Sequence, residues 1–230
     1  MALVGAAAGC GGPGGSADTA SADRQLAHGL ALLPDKPTLR RHVLVADLDR
    51  LRAAYGSATL PARALVGIWL PDALVGATRP LWRRSFRLDL DYVSSFASAG
   101  FHPAEVMVAE GRFARQLMRT RESGYEPRGD TLARGADASF DASSEAGRLA
   151  LNALDRVIAS KARVIAASTS ALADAAAEPS RTLADQRNLA RFERALDPIT
   201  SAVILDASLV RPPSGAVPLL GPRAEVDGDG

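Results

Sequence analysis

Paired carboxylates and three isolated histidines are the side chains whose type and spacing could support chemistry in this chain. Asp89 and Asp91 stand two residues apart, a spacing that places both side chains on one face of a β-strand. Two carboxyl groups in one cleft can act as acid and base. His102 is a separate candidate base that follows three serines in the sequence, although closeness in sequence does not place a base beside a nucleophile. Helix capping or solvent exposure is the more common role of such aspartates. A hydrolase that uses His102 or the Asp89/Asp91 pair is therefore an alternative hypothesis, and no catalytic residue is predicted.

Metal, cofactor and nucleic-acid sites are not indicated. His28, His42 and His102 each lack a second His or Cys at the spacing of metal ligands. The chain contains no Gly-rich phosphate-binding loop and no Gly-x-Ser-x-Gly motif. A net charge of +1 provides no broad basic field for nucleic acid. We expect neither a metal nor a cofactor.

A local cluster of basic and aromatic residues suggests a contact with a membrane surface. Arg79, Trp82, Arg83 and Arg84 lie within six positions of one another, and arginines close to anionic headgroups each contribute about 1 kcal/mol. A solvated loop with Trp82 packed on the core is the competing interpretation.

Cys10 is the only cysteine, and it follows a short apolar run that ends in Ala7-Ala8-Gly9. This arrangement, with the Gly- and Ser-rich spacer after it, resembles the cleavage and lipidation site of a bacterial lipoprotein. Two features depart from that pattern, because Ala7 stands where Leu is usual and no Lys or Arg precedes the apolar run. We therefore expect the translation start to lie upstream. The resemblance implies a truncated signal-peptide segment over residues 1–9, and a lipidated Cys10 that begins a flexible tether over residues 10–24.

Residues 25–208 have the composition of one globular domain, and residues 209–230 are rich in Pro and Gly and are predicted to be disordered. Apolar runs predict strands that alternate with amphipathic helices, with hairpins between some of them. We predict an α+β fold in which a mixed, largely antiparallel sheet carries helices mainly on one face, in part built from split βαβ units.

Local signals locate most of these elements. Apolar runs predict strands, and N-cap residues or Gly and Pro terminators predict helix ends. Residues 88–93 fit either an edge strand or a capped helix start at Asp89 or Asp91. The predicted strands are 42–46, 105–110, 125–132, 156–159, 163–168 and 202–205, with a short pairing segment at 136–142; the predicted helices are 25–33, 48–55, 61–70, 113–123, 170–177 and one that begins at the Thr182/Asp185 capping box.

The segment Val106 to Phe113, followed by Gly124-Tyr125, resembles a pattern of uncharacterised actinobacterial lipoproteins, as do Val43 to Leu48 and Asp89 to Val93. The likeness spans about residues 30–208. It implies an α+β domain anchored to the outer face of the cell membrane, and it supplies no catalytic residues. We therefore predict a membrane-tethered, non-enzymatic domain that binds a protein, a small molecule or a lipid, without nucleic acid as a partner.

Overall fold

The computed structural model describes residues 3–7, 25–61, 65, 68–76, 88–113, 125–140, 142–143, 148, 153–187, 189 and 201–205. Within them, nine strands form one sheet in the order β1-β9-β2-β3-β4-β8-β7-β6-β5, and every neighbouring pair is antiparallel. The fold class is therefore α+β, as predicted. Cys10, the 79–84 cluster, the 209–230 tail and most of the helices predicted at 61–70, 113–123 and after residue 187 lie outside the described residues.

The elements have the following bounds. The strands are β1 (Leu3–Ala7), β2 (His42–Asp47), β3 (Val93–Phe101), β4 (Ala104–Gly111), β5 (Glu126–Arg128), β6 (Thr131–Ala133), β7 (Arg156–Ala159), β8 (Arg163–Ala167) and β9 (Ser201–Leu205). The helices are α1 (Gln25–Ala31), α2 (Leu48–Tyr55), α3 (Asp72–Val75) and α4 (Ser170–Ala177), with 3₁₀ helices at Leu90–Tyr92 and Leu183–Asp185.

The sheet has an apolar core on each of its faces, because alternate side chains of the central strands point in opposite directions. One face, here named the Phe96 face, carries Leu44, Phe96 and Met107. The opposite face, here named the Val45 face, carries Val45, Ala97 and Val108. A strand that is apolar on both faces must be central, and β2 is indeed paired on both sides.

Helix α2 begins and ends where the sequence indicates. The Asp47 carboxylate accepts a hydrogen bond from the Arg50 amide at 2.8 Å, which caps the first turn. Gly56 ends the helix in the left-handed conformation at φ 59°. Helix α4 is capped in the same way, by the Thr169 side chain. The predicted capping box of Thr182 and Asp185 is also present, and it starts a 3₁₀ helix.

The helices differ from the predicted arrangement in one respect. Among the described residues, α1 and α4 pack on the Val45 face, whereas α2 and α3 pack on the Phe96 face. The helices therefore cover both faces rather than mainly one. A split βαβ unit is present: β1 and β2 run in the same direction, β9 is inserted between them, and α1 lies on the connection.

The structure decides one open prediction and corrects others. Of the two alternatives for residues 88–93, the helix start capped by Asp89 is confirmed: residues 90–92 form a 3₁₀ helix, and the strand starts only at Val93. The strand predicted over 125–132 is instead a hairpin of β5 and β6 that turns at Gly129, where φ is +62°. The described residues between 136 and 142 form no strand, because β6 already pairs with β5 and β7 on its two sides.

At the N-terminal end, Leu3–Ala7 form β1, which pairs with β9 over five residues. The same residues are the apolar run that precedes Cys10 in the sequence. In the described part of the chain, no helix has the length and apolar character needed to cross a membrane.

Candidate functional site

A cleft of about 470 Å³ opens at the end of the Phe96 face where β3 begins and β4 ends. Helix α2 forms one wall, and the 3₁₀ helix before β3 forms another. The register between β3 and β4 shifts between Val93 and Ser95, so the strand bends where it meets the cleft. The lining residues are mostly polar: Asp49, Arg52, Ala58, Asp91, Tyr92, Ser94 and Arg112.

Arg52 is the buried cation of this cleft, with 9% of its surface exposed. Its guanidinium donates to the Asp49 carboxylate at 2.6 Å, to the Val93 carbonyl at 2.9 Å and to the Leu90 carbonyl at 2.7 Å. These bonds fix the plane of the guanidinium between α2 and the start of β3. Its Nε atom has no hydrogen-bond partner among the described residues. The cleft is therefore lined by a rigid, charged guanidinium, whose Nε atom is itself buried.

The rim of the cleft is held by backbone contacts. The Tyr92 amide donates to the Asp89 carbonyl at 3.1 Å, and the Arg112 amide donates to the Tyr92 carbonyl at 2.9 Å. Gly111 makes this approach possible, because a Cβ there would lie 2.0 Å from the Tyr92 carbonyl oxygen. Tyr92 itself is 54% exposed. A fixed backbone thus displays an aromatic ring beside the Arg112 side chain.

A second polar group lies at the opposite end of the same face and is sealed from solvent. His42, Ser98, Glu105 and Ser168 belong to four adjacent strands or their ends, and all are buried. Ser98 Oγ lies 3.4 Å from Glu105 Oε1. The Glu105 amide donates to Ser168 Oγ at 3.1 Å, and the Ser168 amide donates to the Glu105 carbonyl at 3.0 Å. These four residues, with Asp72 of α3 next to them, are named the sealed cluster.

Glu105 is a carboxyl group with little access to water, since only 5% of its surface is exposed. Burial, and next the negative charge of Asp72, raise the pKa of Glu105 to about 8. Glu105 and Asp72 also share a hydrogen bond between their side chains. At neutral pH the Glu105 carboxyl is therefore protonated and can donate to Asp72.

His42 belongs to the same cluster and is kept neutral. Burial lowers its pKa, against the opposing effects of the Gly100 carbonyl and of Asp72. The Nδ1 atom lies 3.1 Å from the Gly100 carbonyl, and the ring stacks on Phe101 with centroids 4.1 Å apart. Its Nε2 atom has no partner among the described residues. The ring is therefore held as the tautomer that donates from Nδ1.

The residues of the hydrolase hypothesis do not form one site. Asp89 caps the 3₁₀ helix by accepting from the Asp91 amide at 3.1 Å, and Asp91 lines the cleft. His102 is exposed in the β3–β4 turn, at the other end of the nine-residue strand β3. At about 3.3 Å per residue, that strand separates the two groups by roughly 30 Å.

The remaining predicted site residues are Cys10 and the Arg79, Trp82, Arg83 and Arg84 cluster, which lie outside the described residues. His28 forms an ion pair with Glu110 at 2.6 Å on the Val45 face. Across the residues that the structure describes, no group of three or more His, Cys, Asp and Glu side chains could hold a metal ion.

Sequence analysis did not single out Arg52, Arg112, Tyr92 or Glu105. Arg52 lies on a helix with a polar surface. Its burial depends on the 3₁₀ helix at Leu90, which packs against it and lies 38 residues later in the chain. The sequence contained one signal that could have pointed to Tyr92. This residue follows the two aspartates of a capped turn, next to the start of a strand.

Comparisons with models of protein families, with curated proteins and with solved structures gave no match to this chain.

Proposed function

We propose that this chain is a non-enzymatic binding domain, tethered by a lipid on Cys10 to the outer face of the cell membrane, and that the cleft is its ligand site. The observation that carries the binding function is the buried Arg52. Its guanidinium is held by three hydrogen bonds at the cleft, which limits the entropy lost when a ligand binds.

Binding is favoured over catalysis by the side chains that line the cleft. The described residues of the lining include two arginines, two aspartates, a tyrosine and a serine, but no histidine or cysteine. Ser94 therefore has no imidazole base beside it in the cleft. Glu105, whose pKa is raised to about 8, and His42, whose pKa is lowered by burial, are buried at the other end of the Phe96 face, where a substrate has no access.

The tether is supported by the sequence alone, through Cys10 and the polar spacer that follows it. Lipidation requires a peptidase to remove residues 1–9. In the structure of the full chain, Leu3–Ala7 occupy the sheet as β1. Processing would remove this strand and leave β9, which also pairs with β2, at the edge of the sheet.

The tether is tested by expressing the protein in an actinobacterial host, with its natural upstream sequence, and comparing wild type with Cys10→Ser. We expect wild-type protein in the membrane fraction, with an acylated Cys10 as the first residue by mass spectrometry. Cys10→Ser should lose the acyl mass and leave the membrane pellet. Ser16→Ala, a substitution of similar size in the same spacer, is the control and should behave as wild type.

The competing outcome is an unprocessed chain, which the β1–β9 pairing favours. Wild-type protein that retains Leu3–Ala7 and carries no acyl group would contradict the proposed lipid tether. The cleft as a ligand site would be unaffected by that result.

A further inference from the structure

We propose that the cleft binds a neutral saccharide, an inference that rests on the proposed role of the cleft as a ligand site. The supporting features, taken over the described residues that line the cleft, are the balance of their charges, the exposed ring of Tyr92 and the near absence of aliphatic side chains.

The charges in the cleft are balanced. Arg52 and Arg112 provide two cations, and Asp49 and Asp91 provide two anions. A sugar hydroxyl donates one hydrogen bond and accepts others, so it can bind a carboxylate and a guanidinium at the same time. Neighbouring hydroxyls on a pyranose ring therefore match an alternating set of Asp and Arg groups.

Tyr92 supplies the apolar part of such a site. Its ring is more than half exposed, while its backbone is fixed by hydrogen bonds on both sides. A pyranose ring has one face of C–H groups, which loses unfavourable contact with water when it lies on an aromatic ring. Because the backbone of Tyr92 is already fixed, binding restricts only the side-chain rotamer.

Other ligand classes fit the cleft less well. A phosphate or carboxylate would place a further negative charge beside the Asp91 carboxylate and that of Asp49, whose side chain is 62% exposed, and this repulsion opposes its attraction to the two arginines. A lipid chain would need an apolar wall, but among the described residues Ala58 is the only aliphatic one that lines the cleft. The volume of about 470 Å³ lies within the range of about 300–1,000 Å³ that is usual for small-molecule sites.

The test is isothermal titration calorimetry of the full chain with chitotetraose and with maltotetraose. We expect one of these glycans to bind. Tyr92→Ala should weaken that binding about tenfold, because it removes the stacking surface. Tyr92→Phe keeps the ring and should stay within about twofold of wild type. Tyr55→Ala removes another exposed tyrosine, one that lies outside the cleft, and should not alter the affinity.

Circular dichroism establishes that each variant is folded before titration. The proposal is overturned if neither glycan binds, or if Tyr92→Ala and Tyr55→Ala bind the glycan equally well. Inorganic phosphate and glycine are titrated in parallel. If either binds in place of the glycans and loses affinity on Arg112→Ala, the saccharide assignment is wrong, while the cleft remains a ligand site. None of these results depends on whether Cys10 is lipidated.

Discussion

The two ends of the Phe96 face contain similar polar side chains in opposite environments. At the cleft, Asp91 and Tyr92 are exposed and border an open space. At the sealed cluster, His42 and Glu105 are buried. Each end holds one buried nitrogen without a partner among the described residues, Arg52 Nε and His42 Nε2.

Solvent access decides what each set of side chains can do. In the cleft, the exposed Asp91 and Arg112 side chains are accessible to a ligand. In the sealed cluster, burial next to Asp72 makes the neutral form of Glu105 the favoured one. One end is therefore suited to binding, and the other couples the stability of the fold to pH.

The largest expected effect is the pH dependence that Glu105 gives to the free energy of unfolding. Its pKa is raised from 4.5 to about 8 by burial and by Asp72, so between these values the unfolded chain loses a proton that the folded chain retains. Stability that is fully present below pH 4.5 is therefore lost as the pH rises towards 8, at about 1.4 kcal/mol per pH unit and about 5 kcal/mol in total. Glu105→Gln should remove this loss, as measured by urea denaturation from pH 5 to 8.5.

Glu110→Gln is the control for this experiment, since Glu110 lies on the same strand but on the Val45 face. Burial acts to raise the pKa of Glu110, but His28 and Arg163 overcome it and lower the pKa. The contribution of Glu110 to the free energy of unfolding is therefore present above pH 4.5 and is lost as the pH falls below that value. Equal pH profiles for Glu105→Gln and wild type would show that the cluster is not sealed.

Removal of the Arg52 guanidinium should destabilise the fold at the cleft end. Arg52→Met keeps most of the apolar stem but loses hydrogen bonds to Asp49, Val93 and Leu90. We expect a loss of about 3 kcal/mol, together with the loss of glycan binding. Arg50→Met changes the same helix outside the cleft and should cost less than about 0.5 kcal/mol. Similar denaturation midpoints for the two variants would contradict the structural role of Arg52.

Two glycines allow the close backbone contacts at the two ends. A Cβ at Gly111 would lie 2.0 Å from the Tyr92 carbonyl, and one at Gly100 would lie 2.1 Å from the Ala104 carbonyl. Each alanine variant should lose about 2 kcal/mol of stability. Only Gly111→Ala should also weaken glycan binding, because it displaces Tyr92 at the cleft. Gly129→Ala is the control: its φ is positive, as at Gly100, but its surroundings are open, so it should cost about 1 kcal/mol and leave the affinity unchanged.

The predictable elements are those whose signals are local. β2 and β9 are apolar runs, and α2 is bounded by an Asp cap and a Gly terminator. β3 was not predicted, because Ser94, Ser95 and Gly100 give it a low strand propensity. It is a strand because β2 and β4 pair with it on both sides. Tertiary pairing thus overrides local preference in the strand that joins the two ends.

The sequence did not reveal the cleft or the sealed cluster, for the same reason. Asp91 was identified as a candidate from its spacing, but Arg52 is buried only because Leu90 and Val93 fold over it. Glu105 stands at the start of a predicted strand, where exposure is the usual expectation. Its burial depends on α3, which lies more than thirty residues away in the chain. Contacts of this kind lie between segments that are distant in the chain, so local sequence patterns do not predict them.

The smallest expected effect is a difference between alanine substitutions of two serines in β3, Ser98 and Ser94. Ser98 Oγ lies 3.4 Å from the Glu105 carboxyl, whereas Ser94 lines the cleft. The Ser98 hydrogen bond lowers the pKa of Glu105 against the larger effect of burial, so Ser98→Ala should raise that pKa further and cost about 1 kcal/mol of stability. Ser94→Ala should leave the pH profile unchanged and alter only glycan affinity. If both variants shifted the pH profile equally, the two ends would be electrostatically coupled along β3, and the cleft could not be treated as independent of the sealed cluster.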